Sequence, residues 1–301
     1  MTSTTEQRAV AGVGPAALLT ALAPLSWGTF YVVTTELLPP GHPFFAGLLR
    51  ALPAGLIALA IGRTLPRGRT WWGRAAVLGV LNIGLTFPLL TVAAERLPGG
   101  VAATLAAAQP LAVALLATGV LRERLTLWRL GWGFGGMAGV GLVVLGPDAA
   151  LDAVGVAAGL GSAASMALGV TLTRRWGRPA GTGPTAFAGW QLTAGGLFLV
   201  PVTFLAEGAP PAIDAPAALG YLWLGLVGGL LAFVLWFRGL TSLPVTSVAV
   251  LVLLSPLVAA VLGALLLGQT LGPVQLVGFA LALAAIVAGQ LPPPRAARPR
   301  D

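Results

Sequence analysis

The side chains able to do chemistry are few in this sequence, and their placement narrows what that chemistry is. There is no cysteine and a single histidine, His42, in a loop beside Pro43. Thiolate and multi-histidine metal sites are thereby excluded, a Ser-His-Asp arrangement is disfavoured, and no cofactor or metal is called for. What remains is a set of polar and aromatic residues inside long apolar runs. Gln109 precedes Pro110 and Ser255 precedes Pro256, each pair near the middle of a run. Proline inside a helix withholds one N–H and crowds the carbonyl four residues back. Kinks at Pro110 and Pro256 are therefore expected to free the carbonyls of Ala106 and Val252, which in hydrocarbon must face protein or a water-lined cavity. Asn82 and Thr86 lie four apart, so they share a helix face, and so do Trp27 and Tyr31. Trp190 adjoins Gln191, and Trp236 lies in a later run. Together they read as a solute pocket: Gln109, Ser255, Asn82 and Thr86 offer hydrogen bonds, while Trp27, Tyr31, Trp190 and Trp236 offer apolar walls. The plainer readings are kinked but solidly packed helices, an interhelical hydrogen bond for Asn82 and Thr86, and core packing for the tryptophans. Arg50 is the one charge well inside a run, a costly position that is functional by default. It can bind a substrate carboxylate or pair structurally with Glu36, and the structural pair is the favoured reading.

The elements that must position these residues follow from composition. The chain has 301 residues, 57% of them hydrophobic and 9% charged, with a mean hydropathy of +0.91. A soluble domain carries about 25% charged residues, so this chain belongs in a membrane. A spanning helix needs about 20 mostly apolar residues. Segments over 15–37, 43–62, 75–94, 98–121, 127–146, 152–173, 184–206, 216–238, 243–267 and 272–290 qualify. The expected fold is thus all-α, with ten transmembrane helices. The connections are short, the N-terminal segment lacks a cleavable signal pattern, and 292–301 reads as a disordered basic tail. Trp71, Trp72, Trp176 and Trp223 read as interfacial anchors. Glycines at four-residue spacing, Gly131, Gly135 and Gly139 and again Gly155 and Gly159, read as close helix packing.

The segments also repeat. Shifted by 146 positions, 97–142 lies on 243–288 without a gap, so that Leu97-Pro98 meets Leu243-Pro244 and Pro110-Leu111 meets Pro256-Leu257. Residues 1–146 and 147–291 are therefore read as two five-helix repeats. Charge orients them. With the N-terminus placed in the cytoplasm, fifteen of the 17 basic residues, all arginine, fall on the cytoplasmic side. Glu36, Glu95, Asp148, Asp152, Glu207 and Asp214 fall outside, as the positive-inside rule asks. An odd number of spans per repeat means that the second copy inserts upside down relative to the first. The connection Arg122-Glu123-Arg124 is then cytoplasmic, and its counterpart Gly268-Gln269-Thr270 is outside and has no arginine.

Ten helices in two inverted halves resemble the drug/metabolite transporter superfamily, and in particular its EamA-type family. Ser26-Trp27-Gly28-Thr29-Phe30, Arg50, Pro110 with Arg122-Glu123-Arg124-Leu125-Thr126, and the later proline with Leu267-Gly268-Gln269-Thr270-Leu271 are similar to that family's pattern. Gln269 departs from it, standing where the family often has an acidic residue. The resemblance implies an inner-membrane exporter of small metabolites, with amino acids the expected solute. The central cavity is expected between helices 1, 3, 4, 6, 8 and 9, worked by alternating access. A nucleoside, sugar or drug-like solute on the same fold is the alternative. No Asp or Glu lies deep in a span, which favours facilitated efflux over coupling through a buried carboxylate. Expected partners are the lipid bilayer and a small-molecule substrate, not nucleic acid. A monomer is expected rather than a dimer joined through helices 5 and 10, in a bacterial inner membrane with both termini cytoplasmic. A membrane-embedded enzyme would need a nucleophile, base or metal constellation that the sequence does not offer, and a non-transporting scaffold would not need matched midplane polar groups.

Overall fold

The computed structural model describes residues 4–97, 105, 106, 108–122, 126–144, 152–266 and 272–291, with side chains from residue 14 onward except at 129, 143, 144 and 290. All regular structure among them is helical. Seven helices are long and apolar enough to cross a membrane: α1 (Gly14–Leu37), α2 (Pro43–Gly62), α3 (Gly68–Arg96), α6 (Ala153–Trp176), α7 (Pro184–Ala206), α8 (Ala215–Ser242) and α9 (Val245–Leu266). Three more lie between and after these: α4 (Gln109–Leu121), α5 (Leu127–Val144) and α10 (Pro273–Gln290). The Arg122–Thr126 motif is described only at its two ends; Gln269, Asp148 and the tail 292–301 lie outside the described residues.

Local chemistry sets the helix ends. Pro43, Pro184 and Pro273 occupy the first turns of α2, α7 and α10, where a missing N–H costs nothing. Asp152 and Asp214 accept from the N–H groups of Gly155 and Ala217, capping α6 and α8 at 2.7 and 2.8 Å. Glu207, at the end of α7, accepts from Phe44 N and Phe45 N, so its carboxylate sits on the positive end of α2. Gly41 N donates to Glu95, and Arg96 pairs with Asp152 at 3.8 Å. These contacts gather the acidic residues at one end of the bundle. Arginines gather at the other: Arg174 donates to the carbonyls of Leu240 and Thr241, and Arg74 lies over the rings of Trp71 and Trp176.

Packing pairs the helices in a pattern. α2 lies along α7 and α5 along α10; α1 packs on the last part of α8 as α6 packs on the last part of α3; α1 meets α9 as α6 meets α4. Element positions recur with the sequence offset. A π-helical turn over Val80–Leu85 of α3 is matched by one over Leu226–Leu231 of α8, each 146 positions from the other, and α5 shifted by 146 coincides with α10. The buried centre is aromatic, with Trp236, Phe187, Phe233 and Phe237 the largest enclosed side chains. Leu205, Leu265 and Leu115 stay exposed on the outside, as a lipid-facing surface requires.

Two expectations change. The prolines do not kink continuous helices. Each sits at the start of a helix that has stopped and begun again: Ala108 and Val252–Leu253 form turns, Ser255 N donates to the Val252 carbonyl, and Pro110 and Pro256 occupy first turns. A proline there sacrifices no bond, so interruption is the cheaper solution. The Val252 carbonyl is consequently not left free. Second, Arg50 does not pair with Glu36. Glu36 is exposed near the end of α1, while Arg50 is 4% exposed inside the bundle.

Candidate solute-binding cavity

The interruptions converge. α1 is broken at Thr29, where the hydroxyl and N–H both turn back to the Ser26 carbonyl. Gly28, just before the break, lies against α9. A Cβ there would meet the Val258 side chain and come within 2.7 Å of the Ser255 carbonyl, so only glycine lets the two broken helices touch. The π turns add a second device, because widening the helix turns a carbonyl away from its usual partner. The Leu81 carbonyl accepts from the hydroxyls of Thr86 and Ser165, and the Gly228 carbonyl accepts from the Trp27 indole at 2.9 Å and from Arg50 Nη2 at 3.2 Å. Each π turn is thus tied to the crossing helix of the opposite half.

Between these elements lies a cavity of about 80 Å³ lined by residues of α1, α2, α3, α4, α6, α8 and α9 together with Ala106. Five of the eight pocket residues inferred from sequence meet here: Trp27, Tyr31, Thr86, Gln109 and Ser255. Pro256 and Arg50 join them. Gln109 is buried, and its Nε2 is bonded to nothing. Trp27 packs on Phe233 and Trp236, with ring centroids 5.2 and 5.0 Å away. The guanidinium of Arg50 stacks over Phe87 at 4.1 Å and lies 5.3 Å from Phe30.

The other three are placed elsewhere. Asn82 is fully buried and donates to Gln191 at 2.7 Å and to Thr173, bridging α3 to α7 and α6. Trp190 donates to the Thr64 carbonyl at 2.7 Å and packs with Trp71 and Phe187 towards the arginine end. Trp236 stands behind Trp27, fully buried. Pro110 is buried within the first turn of α4. Sequence reasoning passed over Phe30, Phe87, Phe233, Met166 and Ser162, which also line the cavity. Phe30, Phe87 and Phe233 carried no polar signal; Ser162, which donates to the Thr86 carbonyl, lies four residues from Met166 on α6 and shares its face.

Clefts open at both ends. One of about 420 Å³, lined by Tyr31, Thr34, Leu38 and Glu95 among others, lies at the acidic end and shares Tyr31 with the central cavity. Another of about 220 Å³ lies at the arginine end between α6 and α8, beside Thr173, Arg174, Leu240 and Thr241. Among the described residues no group of three or more His, Cys, Asp or Glu is placed to hold a metal.

A family model for EamA-like transporters matches residues 14–145 and again 153–288, once over each half. The chain belongs to the EamA-like transporter family. It is a multi-pass membrane protein of a family of transporters. Protein PecM of Dickeya dadantii is 43% identical to it over 265 residues, covering 88% of this chain and 89% of that protein. The threonine/homoserine exporter RhtA of Escherichia coli K12 is 32% identical over 221 residues, 71% of this chain and 68% of its own. A crystal structure 20% identical in sequence superposes with a TM-score of 0.77, covering 92% of this chain and 98% of the other, which shows the shared fold.

Proposed function

We propose that this member of the family exports small metabolites, amino acids foremost, across a bacterial inner membrane by alternating access. The observation that carries the reading is the cavity where the broken helices α1, α4 and α9 meet, lined from both halves of the chain and approached by a cleft at either end. Transporters built from inverted repeats bind solute at such a midplane junction of discontinuous helices. We read residues 1–146 and 147–291 as those repeats, giving ten spans in two inverted sets of five. The recurring π turns, the reciprocal helix pairs and the double family match support this. The arginine end is the cytoplasmic one on this reading, with both termini there.

Gln109, Ser255 and Thr86 supply polar contacts in the cavity, with Trp27 and Tyr31 as its walls. Asn82, Trp190 and Trp236 act from outside it, holding the helices that form it. Pro110 and Pro256 set where α4 and α9 restart. The chain works as a carrier, not an enzyme, as a monomer, and without a cofactor. Similarity to a threonine/homoserine exporter supports amino acids as the solute. The phenylalanine-rich lining supports an amphiphilic, drug-like solute as the second reading. Counterflow of radiolabelled amino acids, nucleosides and sugars in proteoliposomes tests the proposal. Exchange of threonine or another amino acid is expected, and absence of exchange for every solute in the panel overturns it.

A further inference from the structure

We propose that Arg50 is the anion-binding group of the cavity, so that the transported solute presents a single carboxylate. This rests on the cavity being the solute site. Arg50 lines the cavity, is 4% exposed, and has no acidic partner: among the described residues the ion pair found is Arg96–Asp152, at the surface. A guanidinium carries five N–H donors. The hydrogen bond that Arg50 makes is the one from Nη2 to the Gly228 carbonyl, and its Nε is buried and bonded to nothing.

An unpaired charge in a low-dielectric interior is expensive, and two phenyl faces and one peptide carbonyl replace only part of the lost hydration. A carboxylate entering the cavity supplies what is missing, a counter-charge that fits the guanidinium fork. Gln109 points the same way, for its Nε2 is a second buried donor without a partner in the same cavity. Phe30, Phe87 and Phe233 then face the rest of the solute. One fixed positive charge, with no second cationic side chain among the described lining residues, matches a monoanion or the carboxylate of an amino acid and leaves a dianion uncompensated.

The test uses matched pairs that differ only at the carboxyl group: L-threonine with L-threoninamide, and 3-phenylpropionate with 3-phenylpropionamide. Binding to the purified full-length protein in nanodiscs is read by intrinsic tryptophan fluorescence and by the shift in melting temperature. At least one acid is expected to bind about tenfold tighter than its amide. Arg50→Gln is expected to abolish that preference and Arg50→Lys to retain part of it. Where Arg50→Gln does not fold, the wild-type preference and the Arg50→Lys protein decide. Equal binding of acid and amide, a preference that survives in Arg50→Gln, or binding of no acid in the set overturns the proposal. Exchange of uncharged solutes by the same protein in proteoliposomes then leaves the carrier reading standing, whereas exchange of nothing removes that reading as well.

Discussion

Gln109 and Asn82 are both buried amide side chains in an apolar bundle, and the difference between them lies in their partners. Asn82 has two hydrogen-bonded neighbours on other helices, Gln191 and Thr173. Gln109 keeps a donor unpartnered beside open space. Asn82→Ala should therefore act on stability, leaving Gln191 without its donor at a cost of about 0.5–2 kcal/mol. The expected result is a lower melting temperature in detergent with KM for the exchanged solute unchanged. On the proposed reading, Gln109→Leu removes a contact made to solute and to no other helix. At about 1 kcal/mol for a lost hydrogen bond, KM should rise about fivefold with little change in melting temperature. Reversed outcomes for the two variants would exchange their roles. The sequence shows that both amides sit in spans, but it does not show which has a partner, because that depends on which helices cross at that depth. Trp190 illustrates the same limit: its neighbour Gln191 bonds inside the bundle while its own indole reaches Thr64 near the arginine end.

The helices themselves are largely legible in the sequence, because about twenty apolar residues bounded by charge leave few alternatives. Their interruptions are less so. Proline at 110 and 256 marks where α4 and α9 change, yet whether a helix bends or restarts depends on whether neighbours can satisfy the turn. The π turns carry no shared signal, since Val80–Leu85 and Leu226–Leu231 have little in common in sequence. Glycine spacing is readable as close packing, but not its direction. On α5, a Cβ at Gly139 would lie 2.7 Å from Ala282 N and 2.8 Å from the Gly278 carbonyl of α10, whereas a Cβ at Gly131 meets nothing within 4 Å. The tight end of that stripe is thus spent inside the chain, against α10. Gly139→Ala should force α5 and α10 apart and cost about 1–3 kcal/mol, as overpacking does. Gly131→Ala should be neutral or stabilising, by up to about 1 kcal/mol, because alanine is the better helix former. Thermal unfolding of the two purified variants in the same detergent compares them directly, and equal losses would mean that α5 does not pack on α10 through Gly139.

For the whole molecule, alternating access demands that the two clefts never stand open together around a loaded cavity. One cleft, between Leu38 of α1 and the end of α3 near Ala94, leads to Tyr31; the other lies between Thr173 of α6 and Thr241 of α8. α1 with α9 and α6 with α4 are reciprocal pairs, and the proposed mechanism requires that rocking one pair against the other narrow one cleft as it widens the other. The native chain has no cysteine, so pairs can be introduced without a background. Leu38→Cys with Ala94→Cys, and separately Thr173→Cys with Thr241→Cys, place thiols across the two clefts. A short bis-maleimide across either pair is expected to stop exchange in proteoliposomes by tenfold or more, while each single-cysteine variant, treated identically, continues to transport. Labelling adds direction. The pair at the arginine end should react with a membrane-impermeant maleimide only in inverted vesicles, and the pair at the acidic end only in intact spheroplasts. Bound solute should slow labelling at one end as it speeds labelling at the other. Slowing at both ends would show simple occlusion without rocking, and free exchange through a cross-linked cleft would remove that cleft from the path.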